Sequence, residues 1–134
     1  VASFEGEFVG FESVRVNPKP VVDRRIPVIL GGNSDAALRR VVAWGDGWYG
    51  FNLGGVREVA ERIDFLQRLC DDSGRDRAEL RLAVALRDPT VNDVRPLADL
   101  GVDELVVVGG PPEDAAAAAD WVAALADKWR SNGR

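Results

Sequence analysis

Residues 26–51 read IPVILGGNSDAALRRVVAWGDGWYGF, a complete strand, turn, helix and second strand. The run Ile26–Leu30 is short and apolar, as is typical of a strand buried on both faces. The turn Gly31–Ser34 combines two glycines with two residues that favour helix N-caps, so it predicts a helix over Asp35–Trp44. The second strand is predicted over Gly47–Phe51, directly after the helix.

The same alternation continues to the C-terminus. Gly45 is predicted to be a left-handed residue that ends the first helix. Apolar residues at three- and four-residue spacing predict a second helix from Val56, which Gly74 stops. The remaining predicted elements are a strand over Leu80–Leu86, a helix around Asp93–Leu100, a strand over Glu104–Val108 and an alanine-rich helix that begins at Pro112 and runs to about Trp129.

This order of elements is βαβαβαβα with short loops, which predicts parallel strands joined by right-handed helical crossovers. Two α/β architectures fit it. A doubly wound sheet is self-sufficient with four or five strands, whereas a (βα)8 barrel needs about 250 residues. The 134 residues begin at Val1 and include no methionine, so we expect a piece of a longer protein and favour a (βα)4 half of a TIM-type barrel. Residues 1–25 are expected to form a hairpin-like excursion and linker, and residues 26–134 four βα units of one partial domain.

Composition excludes several classes of function. The net charge is -5 and no run of lysine or arginine favours nucleic acid or an anionic membrane. No apolar stretch approaches the ~20 residues of a membrane span. The single cysteine, Cys70, excludes an internal disulfide, and the absence of histidine argues against a zinc site. Cys70 falls on the apolar face of the second helix and is predicted to be a buried structural thiol. We expect a cytoplasmic protein.

Functional residues of parallel βα proteins gather where strands end and helices begin. Four predicted turns satisfy this rule: Gly31–Ser34, Phe51–Gly55, Arg87–Thr90 and Gly109–Pro111. In the first turn, the glycines let a backbone approach a ligand, and the following helix N-terminus offers free N–H groups to a phosphate. The residues alone leave open an ordinary glycine turn with a serine or asparagine cap. At the opposite edge, Asp46 and the pair Arg24–Arg25 precede strands and are predicted to serve stability.

Three segments in order carry a resemblance to a known family. They are FEGEF at Phe4–Phe8, NPKP at Asn17–Pro20, and the stretch Ile26–Gly50 with its GGNS turn and closing GDGW. Together they resemble the bacterial luciferase-like oxidoreductase superfamily, most closely the branch that uses the deazaflavin coenzyme F-420. The resemblance covers nearly the whole chain and implies the C-terminal half of a (βα)8 barrel.

The resemblance also implies a cofactor, either coenzyme F-420 or FMN, with its phosphate end at the first turn. This role carries onto the turn residues Gly32, Asn33 and Ser34, with Gly31 shaping the turn. Gly50 and Phe51, at the end of the next strand, are implied to lie near the ring or ribityl part. No catalytic residue is assigned, because the family draws its substrate-facing and proton-handling residues largely from its N-terminal half.

Several functions remain open at this point. The first is an oxidoreductase that transfers hydride with coenzyme F-420 or a related flavin and acts on a small-molecule substrate. The alternatives are an FMN-dependent monooxygenase of the same superfamily, a non-catalytic fragment or phosphate-binding half-barrel, and a doubly wound domain that binds a phosphorylated metabolite. The expected protein partner is a second copy of the chain or the missing N-terminal half-barrel.

Overall fold

The computed structural model describes residues 1–21 and 26–130 of the chain. Its N-terminal segment is an antiparallel hairpin of two strands, β1 (Ala2–Glu5) and β2 (Gly10–Val14), in the region where the sequence predicts a hairpin-like excursion. Arg24–Arg25, which sequence reasoning assigns to stability, lie outside the described residues.

Strands and helices alternate through the rest of the described chain. In order they are β3 (Ile29–Gly31), α1 (Asp35–Trp44), β4 (Gly47–Leu53), α2 (Val56–Ser73), β5 (Arg81–Leu86), α3 (Val94–Asp99), β6 (Glu104–Leu105) and α4 (Ala115–Arg130). Short 3-10 turns at Arg77–Glu79 and Val91–Asp93 precede β5 and α3. The prediction of alternating strands and helices is confirmed.

Strands β3 to β6 form one parallel sheet in sequential order, β3-β4-β5-β6. A doubly wound sheet reverses its strand order at a switch point, and the described strands show no such reversal. Sequential parallel strands with right-handed crossovers place successive helices on the same face of the sheet. The sheet is therefore compatible with part of a TIM-type barrel.

The hydrophobic core lies on the face of the sheet that α1, α2 and α3 cover. Alternate residues of β4 and β5 point toward these helices, because side chains of a strand alternate between the two faces. The helices contribute apolar residues at three- and four-residue spacing. The buried core cluster consists of Leu38, Val41, Val42, Trp48, Leu53, Val59, Ile63, Leu66, Cys70, Leu80, Leu82, Val84, Leu86 and Leu97.

The opposite face of the sheet carries the other set of alternating residues. Gly31, Tyr49 and Ala83 lie side by side across β3, β4 and β5. Phe51 follows Tyr49 on the same face and is 52% exposed. None of these four residues belongs to the core cluster formed with the helices. This second face would line the interior if the sheet curved into a barrel.

The two edge strands are shorter than predicted. Strand β3 begins at Ile29 instead of Ile26, because Pro27 has no N–H to donate and Val28 donates to the carboxylate of Asp46 at 2.8 Å. Strand β6 covers only Glu104–Leu105, where the sequence predicts five residues. Each of these strands has only one neighbouring strand within the described sheet. The apolar run in the sequence is therefore longer than the stretch that forms strand hydrogen bonds.

One predicted cap conformation and one predicted helix start are wrong, although α1 ends before Gly45 as predicted. Gly45 is extended, with φ −75° and ψ 159°, instead of left-handed. Glycine still suits this position, since a Cβ would stand 3.1 Å from the carbonyl oxygen of Val41, closer than most Cβ contacts. Pro112 lies outside α4, which begins at Ala115 after Asp114; the Asp114 carboxylate accepts a hydrogen bond from the N–H of Ala117 at 2.8 Å.

Arg75 closes the C-terminal end of α1. Its guanidinium donates to the carbonyl oxygens of Val41 at 3.0 Å, Val42 at 2.8 Å and Gly45 at 2.7 Å. The carbonyls at the end of a helix run short of intrahelical N–H donors, and here the carbonyl of Val41 accepts from the N–H of Gly45 at 2.9 Å as well as from Arg75. One side chain from the loop after α2 thus satisfies three acceptors and fixes α1 against α2.

Candidate functional site

The glycine turn after β3 is held against the neighbouring strand. The N–H of Gly32 donates to the carbonyl of Tyr49 at 3.3 Å, and the carbonyl of Gly32 accepts from Trp48 Nε1 at 2.8 Å. Gly32 has a φ of +119°, a conformation that side chains disfavour. A Cβ on the preceding Gly31, by contrast, would meet no atom within 4 Å. The turn is therefore fixed at Gly32 and open at Gly31.

Ser34 begins α1 as its N-cap. Its Oγ accepts from the N–H of Ala37 at 3.2 Å, and its carbonyl accepts from the N–H of Leu38 at 3.1 Å. The first N–H groups of a helix have no intrahelical acceptor. The backbone N–H groups of residues 33–36 donate to no acceptor within the described part of the chain. An anion would find donors and a favourable helix dipole at this point.

The side chain of Asn33 binds the next strand. Its Nδ2 donates to the carbonyl of Phe51 at 2.7 Å, and its Oδ1 accepts from the N–H of Phe51 at 3.2 Å. Both amide atoms are thus engaged within the protein. What Asn33 leaves for a ligand is its backbone N–H, whereas its side chain joins the ends of β3 and β4.

The structure brings Phe51 to the glycine turn but turns Gly50 away from it. The ring of Phe51 packs 6.1 Å from that of Tyr49, centroid to centroid. A Cβ on Gly50 would instead collide with Trp48 on the core side of the sheet. The absence of a side chain at Gly50 therefore makes room for the indole of Trp48 in the core. The strand is irregular after it, with Asn52 at a φ of +57°.

Arg62 of α2 also reaches the turn, which sequence reasoning missed. Its NH1 lies 2.9 Å from Oδ1 of Asp35 and 3.4 Å from the carbonyl oxygen of Asn33. The carboxylate of Asp35, in the first turn of α1, would otherwise oppose an incoming anion. Nothing in the sequence links residues 27 positions apart, because this contact depends on how α1 packs against α2.

The other three turns contain local structural contacts. Thr90 donates to the carboxylate of Asp93 through its N–H at 2.7 Å and its hydroxyl at 2.8 Å. The N–H of Gly54 donates to Glu58 at 2.6 Å. A Cβ on Gly109 would stand 3.0 Å from the indole of Trp121. The hydrogen bonds tie the turns at Thr90 and Gly54 to the elements that follow them, and the turn at Gly109 approaches α4 closely.

Asp46 and Cys70 both lie apart from the turn. The N–H of Asp46 donates to the carbonyl of Val28 at 2.8 Å, and its carbonyl accepts from the N–H of Arg81 at 3.0 Å. Asp46 thus joins the starts of β3, β4 and β5, in agreement with its predicted structural role. Cys70 is fully buried, and this burial raises the pKa of its thiol above the ordinary value of 9.0. Cys70 is thus the buried thiol that the sequence predicts.

Within residues 1–21 and 26–130, no group of three or more histidine, cysteine, aspartate or glutamate residues is arranged to hold a metal ion. Among the helices in the same ranges, none is both long and apolar enough to span a bilayer.

The fold and the turn define a parallel βα protein in which an exposed glycine turn precedes a helix N-terminus. A family model described as luciferase-like monooxygenase matches residues 1–94. The chain belongs to this family. Its members are generally oxidoreductases or monooxygenases, typically with flavin or F-420 cofactors.

Curated relatives include uncharacterised proteins of Mycobacterium bovis and of two Mycobacterium tuberculosis strains. Each is 34% identical to the chain over 105 residues, which cover 78% of the chain and 35% of the relative. The matched region therefore spans about a third of the length of these relatives.

Proposed function

We propose that the chain is the C-terminal half of a TIM-type (βα)8 oxidoreductase that uses coenzyme F-420 or a related flavin for hydride transfer to or from a small molecule. Its part in this function is to bind the phosphate end of the cofactor. The observation that carries the proposal is the open glycine turn at the N-terminus of α1 in a member of the luciferase-like family.

The turn fits a phosphate in its donors and in its shape. Backbone N–H groups from Asn33 onward, together with the Ser34 hydroxyl, are the donors that this chain would offer. Gly31 leaves open space beside the turn, and Gly32 sets its direction. The Arg62 guanidinium offsets the nearby charge of Asp35. The bound cofactor supplies the hydride chemistry, and the protein holds and orients it.

The second face of the sheet supports the barrel assignment. Tyr49 and Phe51 project from the face opposite the helix-covered core, next to Gly31. In a closed barrel they would lie at the mouth, where the ring part of a flavin extends from its phosphate. The relatives are long enough for further βα units, since the aligned residues make up 35% of them.

A glycine substitution tests the phosphate role without disturbing the fold. Gly31→Ala adds a methyl group where no atom lies within 4 Å, and Gly110→Ala does the same in a different turn. We expect Gly31→Ala to weaken binding of FMN or coenzyme F-420 at least tenfold, whereas Gly110→Ala leaves it unchanged. Fluorescence titration measures both affinities. Riboflavin, which lacks the phosphate, should bind the unsubstituted (parent) protein more weakly than FMN does. Its affinity should also change less in the Gly31→Ala variant.

Three results would contradict the proposal: no binding of either cofactor by the parent protein, equal affinity for riboflavin and FMN, or equal losses in the two glycine variants. A phosphate-binding half-barrel without redox function predicts instead that inorganic phosphate competes for the turn while neither complete cofactor binds saturably.

The description of the matching family favours an FMN-dependent monooxygenase as the second candidate. Both candidates use the same turn, so its geometry does not separate them. Parallel titrations do: saturable binding of FMN with none of coenzyme F-420 would select the monooxygenase, and the reverse would select deazaflavin-dependent hydride transfer.

A further inference from the structure

Three arginines surround one aromatic ring on the outer surface of α1 and α2. The guanidinium carbons of Arg39, Arg62 and Arg68 lie 5.7, 5.6 and 5.7 Å from the centre of the Phe65 ring. A ring face attracts cations at this distance, which explains how the side chains are held. It does not neutralise them, so positive charge accumulates locally on a chain of net charge -5.

Two of these arginines have no carboxylate partner in the described structure. Arg62 pairs with Asp35 at 2.9 Å, but no ion pair of Arg39 or Arg68 is found within residues 1–21 and 26–130. Both side chains are exposed. Like charges held close together repel one another, and an anion bound between them relieves that repulsion.

A groove of about 400 Å³ begins beside Arg39 and runs between the two helices. Its lining consists of Arg39, Val42, Ala43, Leu69, Ser73 and Arg75, and Arg68 and Phe65 lie beside it through the ring contacts of Arg39 and Arg68. We call this groove, with Arg39, Arg68 and Phe65, the arginine groove. It combines cationic groups with apolar surface, so the ligand that fits it carries carboxylates next to an apolar side chain.

The chain itself contains such a segment. The tip of the β1–β2 hairpin reads Glu5-Gly6-Glu7-Phe8, and the Phe8 side chain is 89% exposed. Both glutamates are exposed, and no ion pair of either is found among the described residues. The hairpin strands pair with each other, and Phe4 packs on Phe11 at 6.0 Å between ring centres. We call this segment the acidic hairpin.

We propose that the acidic hairpin of one copy docks in the arginine groove of a second copy. Glu5 and Glu7 pair with Arg39 and Arg68, and Phe8 enters the apolar part of the groove. Charge-assisted pairs with arginine are strong and directional, and buried aromatic and arginine residues dominate binding at interfaces. In a two-fold dimer the contact forms twice, once in each direction.

Charge exchange tests this interface. Sedimentation velocity of the parent protein should show a dimer that dissociates as salt rises, because salt screens the ion pairs. The variant Arg39→Glu with Arg68→Glu should raise the dimer dissociation constant at least tenfold, and so should Glu5→Arg with Glu7→Arg. An equimolar mixture of the two variants should dimerise again, because each hairpin then faces a groove of opposite charge in both contacts.

The control variant Arg57→Glu with Arg95→Glu makes the same change in net charge at exposed positions outside the groove, and it should dimerise like the parent. Circular dichroism checks that every variant is folded. A monomeric parent protein at about 100 µM would overturn the proposal. Dimers that persist in both charge variants would also overturn it, and they would point to association through the edges of β3 and β6. A mixture of the two variants that stays monomeric would overturn it as well.

Discussion

Gly32 lies so close to Ala37 that a Cβ on the glycine would stand 2.9 Å from the Cβ of the alanine. The same glycine has a φ of +119°, so a side chain there meets both a steric and a conformational penalty. Its neighbour Gly31 has neither constraint. Two adjacent glycines thus have separate purposes: Gly32 shapes the turn, and Gly31 leaves space beside it.

Gly32→Ala should therefore destabilise the protein, whereas Gly31→Ala should not. We expect the free energy of unfolding to fall by at least about 1 kcal/mol for Gly32→Ala and to change by less than about 0.5 kcal/mol for Gly31→Ala. Urea denaturation followed by circular dichroism measures both. Equal losses in the two variants would show that the turn is not constrained at Gly32.

The hydrogen bonds between Asn33 and Phe51 predict a stability effect that is independent of any ligand. Asn33→Asp keeps the size of the side chain but replaces the Nδ2 donor with an oxygen that faces the carbonyl of Phe51. We expect a loss of about 1–2 kcal/mol in the free energy of unfolding at neutral pH. Asn52→Asp, which makes the same chemical change one residue beyond Phe51, should cost much less; if it costs as much, the Asn33 contact is not responsible.

The guanidinium of Arg75 predicts that lysine cannot replace it. Three carbonyl acceptors at the end of α1 need a planar group with several fixed N–H donors, which an ammonium group does not offer. Arg75→Lys should lower the free energy of unfolding by about 1–3 kcal/mol. The exposed Arg95 gives the control, since Arg95→Lys should have almost no effect. A thermal melt that shows equal shifts for the two variants would argue against this role.

The elements that sequence reasoning placed best are those with local signals. Helix α1 matches its predicted span, Asp35–Trp44, because the Ser34 cap lies within the same stretch. Helix α2 begins at Val56 and ends before Gly74, which the sequence predicts as its stop and which has a left-handed φ of +70°. In both helices the start, the stop and the buried face depend on residues within a few positions of one another.

The features that sequence reasoning missed depend on contacts between distant segments. Strand β6 ends early because the described sheet offers it only one neighbour, and the residues of the strand itself carry no sign of this. The engagement of the Asn33 side chain by Phe51 also follows from sheet pairing. A cap or a donor can be recognised from residue type, but its partner is fixed only when the segments pack.

The buried thiol of Cys70 predicts how stability depends on pH. Burial raises its pKa above the ordinary value of 9.0, so the folded protein keeps this proton at a pH where the unfolded chain releases it. The free energy of unfolding should therefore show no dependence on Cys70 below about pH 8 and should fall as the pH rises through 9 toward the folded pKa. The slope from this one group cannot exceed about 1.4 kcal/mol per pH unit.

Urea denaturation between pH 7 and pH 10 measures this slope, and Cys70→Ala, although less stable at every pH, should lose the part of it that the thiol contributes. Parallel curves for the two proteins would mean that the thiol titrates alike in the folded and unfolded states.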